Sequence, residues 1–271
     1  MQSGRAEPWF GLNLYTQNTQ TFRMSDKKKM SDKKGLGKTS IVLMVLVVLA
    51  VATITTGVAH AADQASVNLG AAANFQVLAG TTVTSTGLTN VTGDLGVSPG
   101  NAVTGFPPGT VTGTKHINDT TAAQAQTDLT TAYNDLAGRT GATTVSGNIG
   151  GTTKTPGLYK STSSLEISSG DLTLDAQGNA SAIFIFQIAS TLTTTTDRKV
   201  ILTNSANAFN VFWQVGSSAT IGTNSTFKGN ILAYASITVT SGATLEGRAL
   251  ARTGAVTLDT NSVIPDKPHT P

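Results

Sequence analysis

The chain has few of the residues that catalyse reactions or form covalent cross-links. Its 271 residues include no cysteine and three histidines, and charged residues make up only 12%, against roughly 25% in an average soluble protein. Without cysteine there are no disulfides and no thiolate metal ligands. The scarcity of charge also argues against a groove lined with catalytic acids and bases.

Motifs for catalysis or metal binding are missing as well. The sequence contains no H-E-x-x-H, no G-x-S-x-G and no Cys/His spacing typical of a metal site. His116 and His269 are predicted to be isolated residues in a loop and in the tail. Asp171, Asp175 and Asp259 lie near expected strand ends, where Asp usually caps the backbone. We therefore predict that the protein is not an enzyme and has no cofactor and no metal site.

The first 61 residues are predicted to be a leader. Residues 41–54 form a mostly apolar run, and Ala59-His60-Ala61 follows it as a small-residue cleavage signal. The run is short for a membrane span of about 20 residues, so a cleaved secretory signal is favoured over an anchor. The true start could be Met24 or Met30. Six lysines lie shortly before the run: Lys27, Lys28, Lys29, Lys33, Lys34 and Lys38.

Removal of this leader changes the charge of the protein. Of the 18 basic and 15 acidic residues, 8 and 3 precede residue 62, which leaves 10 bases against 12 acids and a charge of −2. The mature chain therefore gives no support for binding to nucleic acid or to a membrane. We expect residues 62–271 to be a single secreted domain.

The mature part is rich in threonine, with 39 among 210 residues. Threonine favours strands because its Cβ is branched. One three-residue pattern recurs, in which a small residue and a Thr flank an apolar residue. Since alternate side chains of a strand point to opposite faces, the apolar residue enters a core and the other two point outward. The copies are Thr82-Val83-Thr84, Thr191-Leu192-Thr193, Ser218-Ala219-Thr220, Ser236-Ile237-Thr238 and Ala255-Val256-Thr257.

The C-terminal third repeats with a period near 18 residues. Thr220, Thr238 and Thr257 are spaced by 18 and 19 residues, and each is followed seven positions later by an apolar residue, namely Phe227, Leu245 and Ile264. A fixed period with three short strands predicts a solenoid with triangular coils. Corners are predicted at four glycines in similar contexts: Gly93, Gly147, Gly229 and Gly247.

One segment has helical rather than strand periodicity. Apolar residues recur at helical spacing near 119–137, with Asn118 or Asp119 as the N-cap and Gly138 at the end. The strands at 182–186, 211–213 and 231–234 are apolar throughout, which is typical of strands buried on both sides. The helix is therefore predicted to cover this face. Its apolar stripe consists of Ala122, Ala125, Leu129, Tyr133 and Leu136.

The two remaining faces of the coil differ in charge. One is predicted to carry polar and charged residues outward: Asn90, Thr92, Thr144, Ser146, Thr226, Lys228, Thr244 and Glu246. The other is formed by the Thr-rich pattern and is neither covered nor charged. Its two columns are the candidate site: Thr82, Thr191, Ser218, Ser236 and Ala255 in the first, and Thr84, Thr193, Thr220, Thr238 and Thr257 in the second. Possible rim residues are Ser164, Glu166, Thr240 and Thr253.

Such a face is suited to ordering water. Residues two apart in a strand are separated by about 6.5 Å and neighbouring strands by about 4.7–4.9 Å, so hydroxyls and methyls form a stiff two-dimensional array. Each hydroxyl can hold a water molecule and each methyl can restrict it. A flat surface of this kind is a poor pocket for a small-molecule substrate. The segment Ser164-Leu165-Glu166 follows the same pattern but has Glu166 in the position of the second-column Thr. Glu166 is therefore expected to interrupt the array.

Longer stretches of the sequence resemble a known family. They include Val91-Thr92-Gly93-Asp94-Leu95-Gly96-Val97-Ser98-Pro99-Gly100, Asp171-Leu172-Thr173-Leu174-Asp175 and Gly247-Arg248-Ala249-Leu250-Ala251-Arg252. These resemble the microbial secreted ice-binding (antifreeze) proteins with a discontinuous β-solenoid. The resemblance implies a mainly β fold, a right-handed triangular β-helix with one long helix alongside. It also implies adsorption to ice through the uncovered flat face, which gives thermal hysteresis and inhibits recrystallisation.

Two other classes of function remain as alternatives. A polysaccharide-active β-helix enzyme would need clustered acids and bases in a groove. An extracellular adhesion module would need an anchor or a partner domain. Nothing in the sequence requires more than a monomer, and ice or ordered water is the expected partner.

Overall fold

The computed structural model describes residues 64–265. The predicted leader and His269 lie outside the described residues. Before the helix lie a short 3-10 helix (Gly70–Asn74) and the strands β1 (Phe75–Ala79), β2 (Thr82–Thr86), β3 (Asn90–Val91), β4 (Asp94–Val97), β5 (Ala102–Thr104), β6 (Thr110–Val111) and β7 (Lys115–Ile117). The helix α1 spans Thr120–Gly138.

The chain after the helix consists of short strands. They are β8 (Thr143–Thr144), β9 (Gly147–Asn148), β10 (Thr153–Lys154), β11 (Gly157–Ser161), β12 (Leu165–Ile167), β13 (Leu172–Asp175), β14 (Phe184–Ile188), β15 (Leu192–Thr194) and β16 (Val200–Thr203). A second 3-10 helix (Ala208–Asn210) is followed by β17 (Val211–Val215), β18 (Ala219–Ile221), β19 (Thr226–Ala233), β20 (Ile237–Val239), β21 (Thr244–Ala251), β22 (Val256–Asp259) and β23 (Ser262–Ile264).

The strands form three parallel sheets, as expected for a solenoid. A 12-stranded sheet, an 8-stranded sheet and a 3-stranded sheet run along the molecule. Successive strands of the 8-stranded sheet come from successive coils, so each coil buries its core residues against the next. The predicted β-solenoid with one long helix is confirmed.

The order of coils in the stack differs from their order in the chain. Strand β1 pairs with β21, with Val77 opposite Ala249, and also with β4. The N-terminal coils therefore stack on the C-terminal coil, and β8 lies at the far end of the 12-stranded sheet. Helix α1 connects these two ends. Its 19 residues span about 28 Å at 1.5 Å per residue, nearly six strand spacings.

The coils are of two sizes. In the C-terminal part Asn230 and Arg248 are neighbours with a separation of 18 residues, as predicted. In the middle of the chain Ser164 and Thr191 are neighbours with a separation of 27 residues, so the 18-residue period does not extend there. In the longer coils β13 and β14 are separate strands joined by a loop. In the shorter coils β19 and β21 each run through the corner without a break.

The interior of the solenoid is apolar and contains an aromatic stack. Tyr159 stacks on Phe186 with 5.2 Å between ring centroids, and Phe186 stacks on Trp213 at 4.2 Å. Phe227 continues the row at 5.0 Å from Trp213. Trp213 is fully buried, and its Nε1 donates to the Lys228 carbonyl at 3.0 Å, so its only polar group is satisfied.

Helix α1 covers the 12-stranded sheet. The Asp119 side chain caps its start by accepting from the Ala122 amide at 2.8 Å, and this hydrogen bond, with that to His116, lowers the pKa of Asp119. All five residues of the predicted stripe are buried. Ala125, Leu129, Tyr133 and Leu136 pack in one cluster with outward-facing apolar residues of the sheet, including Ile185, Phe212 and Leu232. We call this surface the covered face, and its prediction is confirmed.

The charged face is confirmed only in part. Thr226 lies opposite Thr244 and Lys228 opposite Glu246, with an ion pair between the latter two. The 3-stranded sheet of β10, β13 and β16 continues this surface through the bridge between Lys199 and Thr226.

The prediction that Thr144 and Ser146 lie on the charged face is wrong. Thr144 lies in β8, which pairs with β11, and β9 pairs with β12 of the 8-stranded sheet. Ser146 is therefore at the corner between those two sheets. Gly147 has φ +61°, whereas Gly93, Gly229 and Gly247 have φ between +111° and +141°. Gly147 therefore does not form the same corner as the other three glycines. The likeness of its six-residue segment (144–149) to theirs does not fix which strand the segment pairs with.

Two further predictions are also wrong by small margins. Val263, not Ile264, lies opposite Leu245 in the core, because the last spacing is one residue longer. His116 lies in strand β7 rather than in a loop. Its Nδ1 is 2.7 Å from Asp119 Oδ2, and its ring packs edge-on against Phe75.

Candidate functional site

The candidate site is the outward surface of the 8-stranded sheet, which we call the threonine face. Its strands follow the order β5, β2, β22, β20, β18, β15, β12, β9. The apolar residues between the two columns are fully buried: Val83, Leu192, Ala219, Ile237 and Val256. The face is thus built on a packed core, which restricts the movement of its side chains.

The second column is in register throughout. Thr84 lies opposite Thr257 and Thr257 opposite Thr238. Thr238 lies opposite Thr220, which in turn lies opposite Thr193. The five residues of this column come from distant parts of the chain, yet they form one continuous row along the stack of strands. We call it the row.

Most hydroxyls of this row are available to solvent. Thr84 Oγ1 donates to Thr257 Oγ1 at 3.4 Å. Thr193, Thr220 and Thr238 are half-buried, and their hydroxyls make no hydrogen bond to other residues among 64–265. Each therefore presents both a donor and acceptors to water.

The first column is more closely tied to the backbone. The Ser218 hydroxyl accepts from the Ser236 amide at 3.3 Å, and the Ser236 hydroxyl accepts from the Ala255 amide at 3.2 Å. Thr191 Oγ1 donates to Ser164 Oγ at 2.8 Å. In each serine the hydroxyl oxygen accepts from an amide of the next coil, and the hydroxyl proton remains free to donate to water. Ala255 lacks a hydroxyl, so this column is less polar at that coil.

The structure adds one residue that the sequence analysis missed. In β5 Thr104 lies opposite Thr84 and Ala102 opposite Thr82. Thr104 is exposed. Ala102-Val103-Thr104 has the same small-apolar-Thr pattern, so the signal was present in the sequence. The uninterrupted row therefore contains six threonines rather than five.

The opposite end of the row is charged, as expected. Glu166 lies opposite Thr193 on one side and Asn148 on the other. Its side chain is exposed. The expected interruption of the array at Glu166 is therefore present, and it lies at the end of the row and not in its middle.

The rim residues have fewer free hydroxyls. Thr240 Oγ1 donates to the Ile221 carbonyl at 2.7 Å, and Thr253 Oγ1 donates to the Tyr234 carbonyl at 2.6 Å. Asp259 lies opposite Thr86 in the same sheet, so the face carries a carboxylate at its edge. The prediction of an uncharged face therefore holds for the two columns between β5 and β15 and not for the edge of the face.

The described residues offer no obvious alternative chemistry. No group of three or more His, Asp or Glu among residues 64–265 could hold a metal ion. The Asp residues have structural partners instead, since Asp171 Oδ1 accepts from the Lys199 amide and Asp175 Oδ1 from the Gln177 amide. No helix in this part of the chain is long and apolar enough to span a membrane.

Comparison with known proteins identifies the family of this chain. The ice-binding-like family matches residues 77–264. The chain belongs to this family. It is 53% identical over 197 residues to an ice-binding protein of Nostoc sp. strain HG1, and the match covers 72% of each chain. It is 39% identical over 213 residues to one from Flavobacterium frigoris strain PS1, with 73% and 75% covered.

Solved structures of similar proteins share the fold. An ice-binding protein from an Antarctic biological consortium is 60% identical, with a TM-score of 0.75 and coverage of 76% of this chain and 93% of that one. The ice-binding protein of Antarctomyces psychrotrophicus is 43% identical, with a TM-score of 0.71 and coverage of 75% and 100%. These relatives establish the β-solenoid class for this member of the family.

Proposed function

We propose that this protein binds ice through the threonine face and thereby produces thermal hysteresis and inhibits ice recrystallisation. The observation that carries the proposal is the row of six threonines from Thr104 to Thr193, in register and without a charge. The relatives are ice-binding proteins, and a further similar structure is that of an ice-binding protein from an Arctic yeast with antifreeze activity.

The chemistry of the row favours ordered water over a dissolved ligand. Neighbouring threonines are about 4.7–4.9 Å apart along the stack, and each hydroxyl can anchor one water while its methyl limits where the next can lie. Branched side chains have few rotamers to lose when water orders around them. A charge would instead orient water around itself, so the absence of charge in the row of six supports the proposal.

The protein acts without covalent chemistry in this proposal. It requires neither a cofactor nor a substrate, only contact with an ice surface. We further propose that residues 62–271 are the mature, monomeric and secreted domain, because ice outside the cell is accessible only to an exported protein. The apolar run and the Ala59-His60-Ala61 signal support export.

The proposal is tested by observing a single ice crystal in the purified protein. We expect faceted growth, a gap between melting and freezing temperatures, and small grains after annealing of polycrystalline ice. Unshaped crystals together with normal grain growth would contradict it. Release of reducing ends from pectin or alginate would instead support the enzymatic alternative.

A further inference from the structure

Two threonines at the sides of the threonine face donate their hydroxyl protons to the backbone of the neighbouring coil. Thr240 Oγ1 donates to the Ile221 carbonyl at 2.7 Å, and Thr253 Oγ1 donates to the Tyr234 carbonyl at 2.6 Å. Each carbonyl also accepts from the backbone amide of the same threonine, at 3.0 Å and 3.1 Å respectively. The carbonyls are therefore satisfied without the hydroxyls, and the additional hydrogen bond serves to fix the side chain.

A side chain fixed in this way offers its methyl group, and not a hydroxyl proton, to water. Threonine has only a hydroxyl and one methyl beyond Cβ, so binding of the hydroxyl selects one χ1 rotamer and gives the methyl one position. Thr253 is exposed and Thr240 is half-buried. Thr195 is exposed and repeats the arrangement, because its Oγ1 donates to the Ser168 carbonyl of the neighbouring coil at 3.0 Å.

These three residues, which we call the flanking threonines, border the two columns on both sides. Thr195 and Thr240 each follow a second-column threonine by two positions, which places them on the same side of the strand, about 6.5 Å further along. Thr253 precedes the first-column residue Ala255 by two positions, at the corner before β22. The hydroxyls of the columns therefore lie between fixed methyl groups.

We propose that the flanking threonines contact ice through their methyl groups and determine where the ordered water layer ends. Water beside a methyl cannot hydrogen-bond to it and keeps its bonds for other water molecules, whereas a mobile free hydroxyl at the side would hold water in several orientations. The inference rests on the proposed ice binding. It gives the flanking threonines a role different from that of the columns, whose hydroxyls anchor water.

The test removes the hydroxyl and the methyl separately at two flanking positions. Thr240→Ser with Thr253→Ser keeps both hydroxyls and removes both methyls, and thermal hysteresis is expected to fall roughly twofold, since peripheral positions contribute less than central ones. Thr240→Val with Thr253→Val removes the hydroxyls, keeps stiff branched side chains, and should retain the hysteresis. A purely structural role of the two hydroxyl bonds requires the reverse, with the serine pair unchanged and the valine pair impaired.

Thr203 provides the matched control. It is half-buried in β16 of the 3-stranded sheet, and its Oγ1 donates to the Leu174 carbonyl of the neighbouring coil at 3.3 Å. Thr203→Ser and Thr203→Val therefore make the same changes away from the threonine face and should leave the hysteresis unchanged.

Three results would overturn the role of the methyl groups. They are unchanged hysteresis in the serine pair, an equal loss in the serine and valine pairs, or a loss of the same size in Thr203→Ser. Unshaped ice crystals with the unmodified protein would overturn the proposed function as well, whereas a contrary result confined to the variants overturns only this inference. Circular dichroism and the Tm of each variant show that the compared proteins are folded.

Discussion

The threonine face and the covered face are made by the same coils yet meet different neighbours. Residues 211–221 show this within one coil, because β17 points Phe212 out against helix α1 and β18 points Thr220 out to solvent. Inward residues on both strands, Trp213 and Ala219, enter the same core. The backbone is therefore alike on the two faces, and the outward side chains decide their roles.

This difference shows how one scaffold separates stability from function. On the covered face, outward Leu, Ile and Phe bury their surface under the helix and contribute to stability. On the threonine face, the short polar side chains bury little and contact few neighbours, so they are free to meet water. Substitutions on the two faces should therefore affect different measurements.

The largest expected effect is the loss of activity from Thr238→Tyr. Thr238 lies inside the row of six, between Thr257 and Thr220, and a phenol there would hold ice away from both neighbours. Thermal hysteresis is expected to fall about tenfold or more, as at the centre of a binding surface, with an unchanged circular dichroism spectrum. Nanolitre osmometry measures the loss.

The matched control is Thr226→Tyr on the charged face. Thr226 is also half-buried in a strand and lies opposite Thr244, so the two substitutions are chemically alike. We expect little change in hysteresis. Equal losses from the two variants would show that the threonine face is not the ice-binding surface.

The next effect concerns the covered face and is on stability. Leu129 is fully buried between α1 and the sheet, and Leu129→Ala is expected to cost about 2–5 kcal/mol of unfolding free energy. Thermal denaturation should show a lower Tm, by roughly 2–4 °C per kcal/mol. Hysteresis per folded molecule should be unchanged near 0 °C.

Thr131→Ala is the control for this second substitution. Thr131 is on the exposed side of the same helix and its hydroxyl bonds only to the Thr127 carbonyl, so the Tm should change little. If Leu129→Ala abolished ice shaping while the protein remained folded, the separation of the two faces would be wrong.

The sequence was sufficient to predict what depends on local periodicity. Alternation predicted the Thr columns, and helical spacing predicted the stripe of α1, because both report which side of an element is buried. It was insufficient where partners are distant in the chain. Nothing local reveals that Val77 pairs with Ala249 or that coils have two lengths. For the same reason Gly147 was assigned to the wrong corner.

A third prediction concerns the residue that the sequence analysis missed. Thr104 ends the row beside Thr84, so Thr104→Lys would place a charge at its edge. Hysteresis is expected to fall roughly twofold, since peripheral positions contribute less than central ones. Thr92→Lys, half-buried in the loop after β3 on the charged face, should have no effect on hysteresis. A loss as complete as that of Thr238→Tyr would indicate that the binding centre lies nearer this end.

The smallest expected effect is a gain, from Glu166→Thr at the other end. Glu166 lies opposite Thr193 and its side chain is exposed, so replacement extends the row to seven threonines without disturbing the core. Hysteresis should rise by less than about twofold, again because the position is peripheral. Glu166→Lys, which replaces the negative charge with a positive one, should give no gain. If both variants gained equally, the carboxylate itself and not charge in general would be what limits the array. If neither gained, the ice surface would end at Thr193, and the difference between the two ends of the threonine face would have no functional consequence.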